Sequence, residues 1–100
     1  MKELKDHIEQ INALCNEHSV KSLFAFGSIV SDSLKQESDI DLIVDIDSND
    51  PIAYSDNYFA LKFQLENILN RQIDLLEDKA VKNPYLKKQI DSTKVLVYGR

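Results

Sequence analysis

Only two glycines and two prolines interrupt these 100 residues, so long irregular connections have little to build on and most of the chain must be helix or strand. A single cysteine, Cys15, excludes an intrachain disulfide. Its place within INALCNEH marks it as a small buried hydrophobe rather than a reactive thiol. No apolar run approaches the roughly 20 residues that span a bilayer. The opening MKELKDHIEQ also lacks the apolar stretch of a secretion signal, so the cytoplasm is the expected location and no membrane is an expected partner. Positive charge is short as well. Twelve Lys and Arg against seventeen Asp and Glu leave a net charge of -5, which argues against nucleic acid as a direct ligand gripped through a basic face.

What is present is the composition of an ordinary globular chain, 43% hydrophobic and 29% charged, and its length predicts one domain over residues 1–100. Leu4, Ile8, Ile11, Leu14 and Cys15 recur at three- and four-residue spacing, which predicts one amphipathic helix from about Lys2 to Glu17. His7 and His18 on it are expected to face solvent or cap the helix. SLFAFGS (22–28) reads as a buried strand ending in a turn, and Ile29 to Ser38 as a polar connection with one helical turn. DIDLIVDI (39–46) is a strand with Ile40, Leu42, Val44 and Ile46 on one face and Asp39, Asp41, Ile43 and Asp45 on the other. Asp50-Pro51 starts a helix reaching about Asn70, in which Tyr54, Tyr58, Phe59 and Phe63 are expected in the core. RQIDLLE (71–77) is a third strand. Asn83-Pro84 opens a short helix to about Ile90, with Lys87 and Lys88 on a solvated face, and KVLVYG (94–99) closes the chain as a strand. The expected architecture is α/β (α+β): a small mixed sheet with helices packed against one face.

Two aspartates on the same face of a strand, roughly 6.6 Å apart, repel one another. Asp is also a poor strand former. A cation offsets such a cost, and Mg²⁺ suits carboxylates that share it with phosphate oxygens of a substrate. That chemistry is phosphoryl or nucleotidyl transfer. Gly27, at the end of a buried strand, lets a ligand approach the backbone, and Ser28 offers a hydroxyl and an N–H to phosphate. Asp74 alternates with the core-facing Ile73 and Leu75, so if RQIDLLE lies beside DIDLIVDI it joins Asp39 and Asp41. Three carboxylates are then available to two cations, the arrangement suited to in-line displacement at phosphorus.

Gly27-Ser28, ten intervening residues, Asp39-Ile40-Asp41 and the later strand acid Asp74 together resemble the signature of the DNA polymerase β-like nucleotidyltransferases. The short chain is most similar to the minimal members (MNT), which are often encoded beside a helical HEPN protein. The resemblance implies a nucleotidyltransferase fold, two Mg²⁺ ions as cofactor, and transfer of a nucleoside monophosphate, AMP from ATP or another NTP, to a hydroxyl of a HEPN toxin for which the chain is the antitoxin. It assigns Gly27 and Ser28 to the triphosphate and Asp39, Asp41 and Asp74 to metal and catalysis. Asp45 and Asp47 match no family position and are expected to be solvated. The chain departs from the pattern in one respect: Ile29-Val30-Ser31-Asp32 holds no Arg, and the first base after the turn is Lys35. Lys35 or a partner then meets the phosphate charge, or catalysis is weak. Inhibition of the partner by contact alone, action on a small molecule of the antibiotic type, and a homo-oligomer all stay open.

Overall fold

The computed structural model describes residues 1–99. Its elements are helices α1 (Lys2–Lys5) and α2 (Ile8–Glu17), strands β1 (Val20–Phe26) and β2 (Ile40–Ile46), helix α3 (Pro51–Leu69), strand β3 (Ile73–Glu77), helix α4 (Pro84–Thr93) and strand β4 (Val95–Gly99). The sheet order is β3-β2-β1-β4. β1 runs antiparallel to both β2 and β4, while β3 runs parallel to β2. Parallel neighbours need a long crossover, and α3 supplies it. Strand polarity therefore brings the end of β1 and the starts of β2 and β3 to one edge.

The alternation in β2 sorts as its side chains require. Ile40, Leu42, Val44 and Ile46 are buried in the main core with Leu23 and Ala25 of β1, Ile11, Leu14 and Cys15 of α2, and Leu61 and Leu65 of α3. Burial pushes the Cys15 thiol up to about 12, which keeps it protonated and inert. Both Pro-led helices are capped from the preceding residue. Asp50 accepts from the Ile52 N–H at 3.0 Å, and Asn83 accepts from the Tyr85 and Leu86 N–H groups at 2.9 and 3.3 Å.

Four expectations fail, each for a physical reason. The first helix breaks at Asp6-His7, because the N-terminus folds back to donate to the Ile29 carbonyl at 3.4 Å and lies 3.8 Å from Asp32. His18 takes the helix-end position expected of a cap but is buried rather than solvated. Placed at the C-cap of α2, it is 3.2 Å from Asn57 Oδ1 and 3.3 Å from Gln64 Nε2, which satisfies both ring nitrogens and ties α2 to α3. Phe59 and Phe63 are more than half exposed and stack on each other, with ring centroids 6.2 Å apart, while Tyr54 and Tyr58 pack against the core. The fourth concerns α4, which lies on the opposite face of the sheet from α2 and α3. Phe24 pairs with Ile43 across the strands, the Lys94 ammonium sits 4.3 Å over the Phe24 ring, and Ile43 and Ile90 are buried outside the main core. A short helix with few apolar residues reads as surface. Ile43, the one apolar residue among the acids of β2, is the residue that calls for a cover.

Glu66 fixes where β3 begins. Its carboxylate accepts from the Ile73 N–H at 3.0 Å and from the Lys62 ammonium at 2.9 Å, and these bonds hold it below the usual carboxylate range. A depressed native carboxyl adds stability above its unfolded value and loses it as pH falls through the native one. Glu66→Ala is expected to lower the melting temperature by a few degrees at neutral pH. The gap from wild type should close in acid, as melts at several pH values would register.

Candidate active site

Gly27 follows β1 and opens a single 3-10 turn, Gly27–Ile29, with a φ of +75°. Its carbonyl accepts from the N–H groups of Val30 and Ser31 at 3.1 and 3.2 Å, and the Ser28 carbonyl accepts from the Ser33 N–H at 3.0 Å, so the turn is internally braced. A Cβ built on Gly27 would overlap Asp41 Oδ2 and come within 3.3 Å of Asp41 Cγ. The glycine is needed twice, for a backbone conformation side chains resist and for the space the Asp41 carboxylate occupies.

Asp41 is the second residue of β2. It pairs across the sheet with Phe26 on one side and Asp74 on the other. Partial burial raises the Asp41 carboxyl above its usual range, and the negative charges of Asp74 and then Asp39, with a hydrogen-bonding approach of the Asp74 carboxyl, push it further the same way. Asp39, one residue before β2, and Asp74 are both exposed. Among the described residues none of the three acids joins an ion pair with a Lys or Arg. Nor do any three His, Cys, Asp or Glu side chains stand close enough together to hold an ion as they are.

Ser28 is half-buried beside Gly27. Lys35 is exposed, and its ammonium makes no ion pair among the described residues. Asp45 is not solvated as expected: its side chain is 15% exposed and lies 3.4 Å from the Lys79 ammonium. That approach supplies charge without hydrogen-bond alignment, since Asp45 Oδ1 is buried with no hydrogen-bond partner. Asp47 is exposed. Lys87, half-buried, pairs with Asp78 at 3.2 Å, while Lys88 is exposed.

Sequence reading missed Arg71. One guanidinium nitrogen donates to the carbonyls of Lys35, Gln36 and Ser38 at 2.8, 3.2 and 2.9 Å, clamping the loop that delivers Asp39 to the edge. An Arg leading into a strand carries no spacing signal, because its partners are backbone atoms more than 30 residues away. Also missed was a cleft of about 430 Å³ beside Gly27, with Phe26, Val30 and Ser31 on one side and Leu86, Gln89, Ile90 and Thr93 of α4 on the other. Only the placement of α4 over the acidic face creates it.

The family described as "Polymerase beta, Nucleotidyltransferase" matches residues 9–100. The chain belongs to this family. An inferred protein adenylyltransferase of Methanocaldococcus jannaschii is 38% identical over 84 residues, covering 84% of this chain and 83% of its own. Among solved structures, an inferred minimal nucleotidyltransferase superimposes with a TM-score of 0.79 at 23% identity, over 94% of this chain and 92% of that one. A toxin-antitoxin structure with AMP-PNP gives 0.72 at 22%, over 93% and 73% of the two chains. A tri-AMPylated Shewanella oneidensis HEPN toxin in complex with MNT antitoxin gives 0.66 at 20%, over 96% and 72%. The four-stranded mixed sheet is thus that of a minimal nucleotidyltransferase.

For this nucleotidyltransferase, crowding at Gly27 and repulsion at Asp41 give opposite expectations. Gly27→Ala should cost about 1–2 kcal/mol in backbone strain alone, lowering the melting temperature by roughly 5–10 °C. Asp41→Asn should raise the melting temperature in EDTA, because it removes a like charge from the edge. A destabilised Asp41→Asn protein in metal-free melts would contradict the repulsion.

Proposed function

We propose that the chain transfers AMP from ATP to a hydroxyl of a partner protein, and that the partner is a helical HEPN toxin for which it serves as antitoxin. The observation that carries this reading is the Asp41–Asp74 register: two carboxylates side by side, one seated in the gap above Gly27, with no Lys or Arg among the described residues answering them. Support for AMP as the transferred group comes from the relative named as a protein adenylyltransferase, and support for the partner from the toxin-antitoxin neighbours. ATP as donor places the reaction in the cytoplasm. Among the described residues no helix is long and apolar enough to cross a membrane.

The donor set fits a hard divalent cation, since it consists of carboxylate oxygens, burial and then mutual repulsion raise Asp41, and no Lys or Arg among the described residues neutralises them. Asp39, Asp41 and Asp74 would hold Mg²⁺, which when bound neutralises triphosphate charge and favours the attacking oxygen. The chain's own residues do the rest. Gly27 offers side-chain-free backbone to the phosphates, and the Ser28 hydroxyl donates to a phosphate oxygen. Lys35, on the loop clamped by Arg71, is the first basic side chain after the Gly27-Ser28 turn and the candidate for the outer phosphates. Asp74, exposed at the edge, accepts the proton of the acceptor hydroxyl as its oxygen bonds to the α-phosphorus and pyrophosphate leaves.

The absence of any Lys or Arg from Gly27 to Leu34 favours a second reading, in which the chain inhibits its partner by contact alone. Intact mass spectrometry after co-expression with the neighbouring helical protein separates the two. Mass added to the partner in AMP units supports transfer, and a stable complex with no added mass supports contact. Asp74→Asn is expected to lower transfer about 10²-fold or more, with little change in nucleotide affinity.

A further inference from the structure

The cleft between the Gly27 turn and α4 has a wall for a flat apolar group and one uncommitted polar side chain. Phe26, Val30, Leu86 and Ile90 supply the apolar lining of about 430 Å³, a volume within the range of small-ligand sites. Two of its three polar side chains are already engaged. The Ser31 hydroxyl lies 2.8 Å from that of Ser33, and the Thr93 hydroxyl donates to the Gln89 carbonyl at 2.9 Å. The carboxamide of Gln89 makes no hydrogen bond among the described residues, and the residue is exposed on the helix. The cleft is continuous with the catalytic edge through Gly27, which lines it and against which Asp41 is seated. A ligand whose phosphates lie at Gly27 and Ser28 has its next ordered part beside this cleft.

We propose that this cleft between the Gly27 turn and α4 is the nucleobase subsite of the donor, with Gln89 as the residue that contacts the base edge. The inference rests on the ATP-dependent reading above and adds where the base sits and which side chain reads it. An aromatic base fills the space between Phe26, Val30 and Leu86 and removes their apolar surface from water. A carboxamide presents a donor beside an acceptor, and adenine presents the complementary pair in its N6 amino group next to a ring nitrogen. Replacing Gln89 with Glu puts a second acceptor against that ring nitrogen. The same carboxylate suits the adjacent N1–H and N2–H₂ donors of guanine.

Titration calorimetry with Mg²⁺ and three probes, ATP, GTP and inorganic triphosphate, tests the proposal on wild type, Gln89→Leu and Gln89→Glu. Gln89 is exposed, so both variants are expected to fold, which circular dichroism checks. Wild type should bind ATP more tightly than triphosphate. Gln89→Leu should lose about tenfold in ATP affinity with triphosphate unmoved, and Gln89→Glu should shift the ATP-to-GTP ratio toward GTP by about tenfold or more. Unchanged ATP affinity and ratio in both variants would overturn the base subsite while leaving the nucleotidyltransferase reading intact. So would a Gln89→Leu protein that binds ATP normally and its protein partner weakly, since the cleft would then belong to the partner. Wild type that binds neither ATP nor triphosphate would overturn the ATP-dependent reading and the subsite with it.

Discussion

A carboxylate that no Lys or Arg among the described residues answers governs this fold's edge. Asp41 is half-buried, faces Asp74 across a parallel ladder, and fills the volume a side chain on Gly27 would need. Burial and like charge both work against ionisation there, so the fold carries a local electrostatic cost. Ordinary surface strands avoid such an arrangement. Its persistence makes sense if an external positive charge completes it, because the charge that a ligand neutralises is the charge that recruits it.

The rest of the architecture keeps that carboxylate in place. Ile40, Leu42, Val44 and Ile46 fix the face of β2 through burial, and a slip of one residue would drive the acids into the core. Glu66 sets the start of β3 by accepting from the Ile73 N–H, which places Asp74 opposite Asp41. Arg71, five residues further on, clamps the loop before Asp39 from the other side. Two charged side chains at the end of α3 and the mouth of β3 thus position two of the three acids while staying clear of the chemistry.

Short-range patterns were legible in the sequence. The period-two alternation of β2 and β3 and the Asp50-Pro51 and Asn83-Pro84 helix starts follow from local rules, and the structure places these elements close to where those rules put them; the Gly27-Ser28 to Asp39-Asp41 spacing was legible only through its resemblance to a known family. What escaped depends on tertiary partners. The break at Asp6-His7 answers the pull of the N-terminus toward Ile29, and His18 is buried because Asn57 and Gln64, about 40 residues on, satisfy its ring. Phe59 and Phe63 carry the hydrophobicity of core residues on a helix face that the sheet does not reach. The cleft at Gln89 was invisible for the same reason, since the side taken by α4 is set by Ile43 and Phe24 rather than by its own short pattern.

The central claim is that the acidic edge is built to be completed by a divalent cation with a nucleotide. Mn²⁺ uptake followed by electron paramagnetic resonance, with a non-hydrolysable ATP analogue present, tests it most directly on wild type and Asp41→Asn, both verified as folded. The account predicts that wild type binds Mn²⁺ together with the analogue and that Asp41→Asn loses at least about tenfold in that affinity. Equal Mn²⁺ binding by the two proteins, or none by wild type, would contradict it.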